Sequence, residues 1–220
     1  MAAPADAVEQ LYRSLAGRDP AAAIAAIEAA KAAGTPHADL FDAVFVPALA
    51  RLGAEWAAGS IDELAFTEAA VVAEQVTSFV IPPATAPDRG LTVVVGCAEG
   101  DVHDLRKNVF SAALKTAGYR VLDLGVDTSP AEFLSAIDET GARIVIVFAE
   151  MVASAIGVAR VREMLEAAGR RDVALVVVGG PFEAEPAVAK ALGANGVANS
   201  AQSVLRLVER VTTELLGGGA

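Results

Sequence analysis

An acid–histidine pair, Asp101 and His103, offers the clearest chemistry in this sequence. One residue separates them, and they closely follow residues 91–96, an apolar run typical of a buried strand. At this spacing a carboxylate can hydrogen-bond one imidazole nitrogen and leave the other nitrogen free to bind a metal. A solvated turn is the alternative interpretation, because so short a motif discriminates poorly between the two.

Alternating strand and helix patterns after residue 90 predict the elements that position this pair. The predicted strands span residues 91–96, 119–124, 143–148, 173–178 and 196–198. Five β–α units of this kind predict an α/β domain with a doubly wound, Rossmann-like parallel sheet. In such a sheet ligands bind at the carboxyl ends of the strands, where the pair would lie.

The first eighty residues carry helical patterns only. Their apolar spacing and capping residues predict four helices, and short connections between them predict a four-helix bundle. Pro47 lies inside the third predicted helix and should kink it. Residues 81–90 contain three prolines and no periodicity, so we expect a linker there. The predicted domains are therefore a helical bundle over 1–80, this linker, and an α/β domain over 91–220.

Composition restricts the functional class. The chain has 220 residues, of which 54% are hydrophobic, and a net charge of −11, which argues against nucleic acid and against an anionic membrane surface as partners. Neither a membrane-spanning run nor a leader pattern is present, so we expect a cytoplasmic protein. The single cysteine, Cys97, is expected to be a small buried residue at a strand end rather than a reactive thiol.

Three stretches resemble the cobalamin-binding domain of corrinoid proteins in methyltransferase systems. They are residues 100–108, 117–119 and 121–127. Residues 46–59 are similar to the four-helix cap that precedes this domain in those proteins. The resemblance covers nearly the whole chain, from about residue 10 to residue 210, and implies a helical cap followed by a cobalamin-binding domain.

This resemblance implies roles for individual residues. His103 would be the lower axial ligand of cobalt, Asp101 would orient it, and the hydroxyl of Ser154 would complete a relay. A carboxylate that is hydrogen-bonded to a ligating imidazole raises the basicity of that imidazole. Gly179 and Gly180 match a glycine pair against which the nucleotide tail of the cofactor lies, although glycines at this place can equally serve only the turn after the strand.

Trp56 lies in the region that resembles the cap. In the resembling proteins the cap covers the upper face of the corrin, so Trp56 could stack there, while packing in the bundle core is the alternative. Light-sensing relatives have a Glu-His pair near positions 66 and 67, where this chain has Phe66 and Thr67. The sequence therefore argues against adenosylcobalamin photochemistry of that type.

Two positions depart from the family pattern. The family motif Asp-x-His-x-x-Gly has Arg106 at its glycine position, and the motif Ser-x-Leu is replaced by Phe148-Ala149-Glu150. Both positions line the channel for the detached dimethylbenzimidazole tail, so the larger side chains would partly fill it. Arg106 could instead pair with the tail phosphate. Otherwise the site would take a corrinoid with a smaller tail or a tail-less tetrapyrrole such as haem or a bilin, or the domain would bind no cofactor.

The function that follows from the resemblance is that of a methyl carrier. We expect a cobalamin-binding, non-catalytic subunit of a methyltransferase system, with methyltransferase subunits as partners and no catalytic residue of its own. One alternative is a sensor that binds cobalamin or another tetrapyrrole and acts on a signalling partner. A cofactor-free interaction domain is the third possibility. The sequence leaves a homodimer open.

Overall fold

The computed structural model describes residues 4–81 and 86–217. The chain divides into two compact units, Met1–Pro83 and Ala84–Ala220. Of the linker predicted over residues 81–90, positions 82–85 lie outside the described residues.

The N-terminal unit is helical. Its α-helices are α1 (Pro4–Ala16), α2 (Pro20–Ala32), α3 (Val46–Ala57) and α4 (Glu63–Val76). The side chain of Asp19 caps α2 and that of Asp62 caps α4, each by accepting a hydrogen bond from a backbone N–H in the first turn. The apolar stripes of these helices form a core that includes Leu11, Leu15, Ile27 and Leu52, and Phe45 from the segment before α3 is buried as well.

The segment around Pro47 differs from the predicted kinked helix. A 3₁₀ turn over His37–Asp39 and a π-helical turn over Phe41–Phe45 precede α3, and Pro47 lies in the first turn of α3. The N–H of Val46 bonds the carbonyl of Phe41, five residues back. Proline has no N–H to give to an α-helical turn, so the chain widens before Pro47 and begins a new helix there.

The C-terminal unit contains a five-stranded parallel sheet. Its strands are β1 (Thr92–Cys97), β2 (Arg120–Asp123), β3 (Ile144–Phe148), β4 (Ala174–Val178) and β5 (Gly196–Ala198). The spatial order is β2-β1-β3-β4-β5, and every pair is parallel. The chain reverses its direction of winding between β1 and β3, which is the place where open α/β sheets bind ligands. The predicted fold class is confirmed.

Helices cover both faces of this sheet. They are α5 (Leu105–Thr116), α6 (Pro130–Thr140), α7 (Ala155–Ala167), α8 (Gly180–Ala184), α9 (Pro186–Ala191) and α10 (Ala201–Gly217). Val147 packs in the core shared with α6 and α7. The next residue, Phe148, contacts Phe110 of α5 on the opposite face, as the alternation of side chains along a strand requires. Across the described residues no helix is both long and apolar enough to span a bilayer.

A buried ion pair fixes the start of α5 to the sheet. Lys107 is almost fully buried, and its Nζ lies 2.7 and 2.6 Å from the two carboxylate oxygens of Asp123 at the end of β2. Cys97, the last residue of β1, is fully buried, as predicted. Burial raises the pKa of its thiol to about 12, so the thiol is neutral in the folded chain near neutral pH.

Candidate functional site

The loop after β1 carries the site and is braced by the loop after β2. The backbone N–H of Gly100 donates to a carboxylate oxygen of Asp127 at 2.7 Å, and the N–H of Asp127 donates to the carbonyl of Asp101 at 2.9 Å. Gly100 has a φ of +82°, a conformation that favours glycine. These contacts fix the turn that presents the Asp101 side chain to the carboxyl edge of β3.

Asp101 is fully buried, and each of its carboxylate oxygens accepts two hydrogen bonds. Oδ1 accepts from the backbone N–H of His103 at 3.0 Å and from Nδ1 of its ring at 2.9 Å. Oδ2 accepts from Oγ of Ser154 at 2.7 Å and from the N–H of Glu150 at 2.6 Å. Burial acts to raise the pKa of Asp101, but these hydrogen bonds outweigh it and the pKa is lowered. Asp101 is therefore a carboxylate near neutral pH.

Ser154 reaches Asp101 because α7 begins close to the loop after β1. Gly157 lies in the first turn of α7, and a Cβ there would lie 3.1 Å from Cβ of Ala98 and 3.3 Å from the N atom of Glu99. A side chain at Gly157 would push the helix start away from the loop, so this glycine contributes to the site. Sequence reasoning assigned it no role, although a glycine inside a predicted helix is itself a sign of close packing.

His103 presents one free nitrogen to the surroundings. Its side chain is 55% exposed, whereas Asp101 beside it is completely buried. An ionised Asp101 accepts only, so Nδ1 carries the proton and the neutral ring has its lone pair on Nε2. Among the residues that the structure describes, none is hydrogen-bonded to Nε2. The predicted relay of Ser154, Asp101 and His103 is thus assembled and ends at a nitrogen that can ligate a metal.

Exposed apolar side chains lie on the loops that meet at Asp101. They are Val102, Val126, Met151, Val152 and Ile156, on the loops after β1, β2 and β3 and at the start of α7. Large apolar groups gathered at one exposed edge are typical of a ligand-binding surface. A single imidazole donor in apolar surroundings fits a metal that a macrocycle already holds in its plane.

Arg106 and Glu150, at the positions that depart from the family pattern, form one ionic cluster with Glu183 of α8. Arg106 Nε lies 3.3 Å from Glu150 Oε1, and Arg106 Nη1 donates to Glu183 Oε1. Phe148 is fully buried, with its ring edge-on to Phe110 at a centroid distance of 5.7 Å. Sequence reasoning gave no role to Glu150 or Glu183. The available signal was that Glu150, at the leucine position of the replaced Ser-x-Leu motif, carries a charge opposite to that of Arg106.

The two glycines after β4 differ in what they require. Gly179 has a φ of +142°, and a Cβ there would lie 1.8 Å from the carbonyl oxygen of Ala149. A Cβ on Gly180 would meet only the Glu150 oxygen, at 3.7 Å, which is ordinary contact. Packing against the loop after β3 therefore explains Gly179, while Gly180 has space for a side chain. The role of both glycines toward a nucleotide tail stays a prediction.

Trp56 does not pack in the core of the N-terminal unit, which was one of the two expectations. Its side chain is 45% exposed and stacks on Phe66 with a centroid distance of 4.9 Å and an interplanar angle of 15°. Trp56 lies at the end of α3 and Phe66 near the start of α4, and a short connection joins the two helices. The two rings therefore meet at the surface, beside this connection. Its predicted role over a corrin stays a prediction.

Comparison with known proteins decides the family. Residues 91–208 match the family model described as the B12 binding domain. This chain belongs to that family. The resemblance to cobalamin-binding proteins and the prediction of a cobalamin cofactor are thereby confirmed, while the role of His103 as a ligand of cobalt stays a prediction.

Known relatives extend the similarity beyond this domain. The chain is 27% identical over 184 residues to trimethylamine corrinoid protein 2 of Methanosarcina mazei, covering 82% of this chain and 84% of the relative. The structure of the Methanosarcina barkeri monomethylamine corrinoid protein superposes with a TM-score of 0.81, at 20% identity, and covers 95% of this chain and all of that one. The methanol:cobalamin methyltransferase complex of the same organism gives a TM-score of 0.51 at 24% identity, with 96% of this chain and 80% of the other covered. These structures confirm the fold.

Proposed function

We propose that this chain is a corrinoid-binding methyl carrier in a methyltransferase system, with Nε2 of His103 as the lower axial ligand of cobalt. The observation that carries the proposal is the completed relay from Ser154 Oγ through the buried Asp101 carboxylate to His103 Nδ1, which leaves Nε2 exposed. When bound, the corrinoid cobalt supplies the chemistry of accepting and giving up a methyl group.

Each member of the relay has a definite task in this proposal. Asp101 holds the proton on Nδ1 of His103, so that Nε2 keeps its lone pair, and it increases the basicity of that nitrogen. Ser154 donates to Asp101 Oδ2, and the N–H of Glu150 donates to the same oxygen. These donors favour the carboxylate form, so the proton stays on the imidazole rather than on Asp101.

Methyltransferase subunits are the proposed partners. Curated relatives of this chain are named as corrinoid proteins for trimethylamine and dimethylamine, and one structural neighbour is a methanol:cobalamin methyltransferase complex. A carrier needs a partner that holds the methyl donor, because its own described site offers a metal ligand and apolar surface but no second reactive group close by. Neither the signalling alternative nor a homodimer gains support from these relatives.

An absorption titration tests the proposal. Purified protein is titrated with hydroxocobalamin and, separately, with haem, and the visible spectrum is followed in the wild type and in His103→Ala. We expect a cobalamin spectral shift in the wild type. In His103→Ala the affinity should fall by more than the roughly 10–100-fold that loss of a hydrogen-bond partner of a ligand causes, because the ligand itself is removed.

The chain provides its own matched control. It has two histidines, and His37 is not a member of the relay, so His37→Ala removes an imidazole and leaves all three relay residues in place. We expect this variant to bind cobalamin like the wild type. Equal cobalamin spectra in the wild type and in His103→Ala would contradict the assignment of the ligand, and a spectral shift with haem alone would contradict the corrinoid.

A further inference from the structure

The ionic cluster of Arg106, Glu150 and Glu183 joins three segments at the carboxyl edge of the sheet. Arg106 lies in the first turn of α5, Glu150 follows β3 and Glu183 lies in α8, which follows β4. The cluster therefore joins the helix after β1 to the segments that follow β3 and β4. It spans the boundary between β1 and β3, where the winding of the sheet reverses and where the crevice beside His103 is expected.

One guanidinium faces two carboxylates in this cluster, and Glu150 Oε1 accepts no hydrogen bond from the described residues although Arg106 Nε lies 3.3 Å away. Arg106 is about one quarter exposed, and both of its contacts are to carboxylates of this chain. Burial raises the pKa of Glu150, while the guanidinium of Arg106 acts to lower it, so the charge on Glu150 depends on its partner. Other cations near this edge are engaged as well, since Lys107 pairs with Asp123 and Arg160 with Glu99.

The space between β3 and α5 is occupied by the chain's own side chains. Phe148 at the end of β3 is fully buried and meets Phe110 of α5 edge-on. Arg106 lies one helical turn before Phe110, so the ionic cluster lies over this aromatic pair. An aromatic base brought to the crevice would meet a filled apolar layer, and a phosphodiester would meet two carboxylates and a guanidinium that is already paired.

Corrinoids differ in whether they bring such a base and phosphodiester. Cobalamin carries a nucleotide arm whose base occupies the lower position of cobalt when no protein ligand does. If His103 takes that position, the base must leave it. Cobinamide has the same macrocycle and no nucleotide, so it has no base to displace.

We infer that this chain selects its corrinoid by the macrocycle and by His103, and that the ionic cluster keeps the nucleotide arm out of the crevice. This inference rests on the proposed function and names the class of corrinoid. Cobinamide-type corrinoids bind more tightly than cobalamin, because cobalamin binds only through its minor form with the base detached and gains no contact in return. For a minor form populated at up to about 10%, cobinamide is favoured by about tenfold or more.

The test compares aquocobinamide with hydroxocobalamin in absorption titrations at one pH. The wild type should bind cobinamide at least tenfold more tightly, and the spectral change with both corrinoids should depend on His103. Arg106→Ala combined with Glu150→Ala removes the ion pair without leaving a lone buried charge. In this double variant we expect the preference for cobinamide to fall at least threefold through tighter binding of cobalamin.

A second double variant controls for the loss of charge. Arg160→Ala with Glu99→Ala removes one cation and one anion from the same edge, at a pair 2.9 Å apart that is exposed. It should keep the wild-type preference, and circular dichroism should show that both double variants are folded.

Tighter binding of cobalamin than of cobinamide by the wild type would overturn this inference and leave the proposed function standing. An unchanged preference in the Arg106–Glu150 variant would overturn the role of the cluster, and the absence of any His103-dependent change with either corrinoid would overturn the proposed function as well.

Discussion

The relay and the ionic cluster are two halves of one site that meet at Glu150. The backbone N–H of Glu150 donates to Asp101 in the relay, while its carboxylate faces Arg106 in the cluster. In the relay every hydrogen bond serves to leave one nitrogen of His103 available. In the cluster the single cation, Arg106, contacts only carboxylates of this chain. In the proposed function and the inference drawn from it, Glu150 supports metal ligation through its backbone while its side chain limits how much of the cofactor is admitted.

The largest expected effect concerns the frame that both halves share. Lys107 is 3% exposed and Asp123 is 28% exposed, so Asp123→Asn leaves a buried ammonium whereas Lys107→Met leaves a carboxylate near water. We expect Asp123→Asn to lower the free energy of unfolding by about 3 kcal/mol and Lys107→Met by clearly less. Urea unfolding of the three proteins measures this. Equal losses would mean that Lys107 is better solvated than its burial indicates.

The relay should control affinity for cobinamide, while the cluster should not. Asp101→Asn keeps the size of the side chain but loses the charge that holds the proton on His103 Nδ1, so cobinamide affinity should fall by roughly 10–100-fold. Glu183→Gln makes the same kind of change in the cluster, because it also replaces a carboxylate by an amide of similar size. It should leave the affinity for cobinamide nearly unchanged. An equal loss in the two variants would remove the distinction between the halves.

Ser154→Ala should have a smaller effect of the same kind. Asp101 Oδ2 then keeps its hydrogen bond from the N–H of Glu150 and loses only the one from the hydroxyl. A hydrogen bond to a charged group contributes about 1.5–3 kcal/mol, of which only part is felt at the imidazole, so cobinamide affinity should fall by about fivefold. Ser154→Thr retains the hydroxyl and serves as the control in the same titration. A loss as large as that of Asp101→Asn would mean that the hydroxyl, not the N–H of Glu150, determines the state of Asp101.

The smallest effect concerns Cys97, which lies beneath the loop that carries His103. Its Sγ is 3.5 Å from the His103 carbonyl oxygen, and burial raises its pKa from 9.0 to about 12. Because the folded chain disfavours the thiolate, this group stabilises the fold fully below pH 9 and loses its contribution as the pH rises toward 12. At pH 8 an aromatic disulfide reagent should label Cys97 only after unfolding. Fast labelling of folded protein would show that the loop opens.

The sequence predicted the framework because its signals are local. Apolar runs bounded by helical patterns predicted all five strands to within about a residue at each end. The capping box of Ser129 and Glu132 begins α6 as expected. The pairing of Asp101 with His103 was also predictable, since the two are two residues apart, whereas Ser154 was predicted only through the resemblance to corrinoid proteins.

What the sequence could not predict depends on contacts between distant segments. Arg106 and Glu183 are 77 residues apart and meet only because β4 is placed next to β3 in the sheet. The hydrogen bond from the N–H of Asp127 to the carbonyl of Asp101 likewise requires β2 to lie beside β1. Core packing was one of the two expectations for Trp56, and it rested on helical spacing. The position of Trp56 at the end of α3 exposes it, and spacing does not reveal where a helix ends relative to its neighbours.

Electron paramagnetic resonance of the bound cobalt(II) corrinoid tests the central claim most directly. The unpaired electron couples to the nitrogen in the lower axial position, so the nuclear spin of that nitrogen determines the splitting. Protein labelled with nitrogen-15 histidine is loaded with unlabelled hydroxocobalamin and reduced, and His103→Ala labelled in the same way provides the reference. We expect labelling to change the nitrogen splitting from a triplet to a doublet in the wild type. A triplet that persists in the labelled protein would show that the cofactor's own base, and not His103, holds the cobalt.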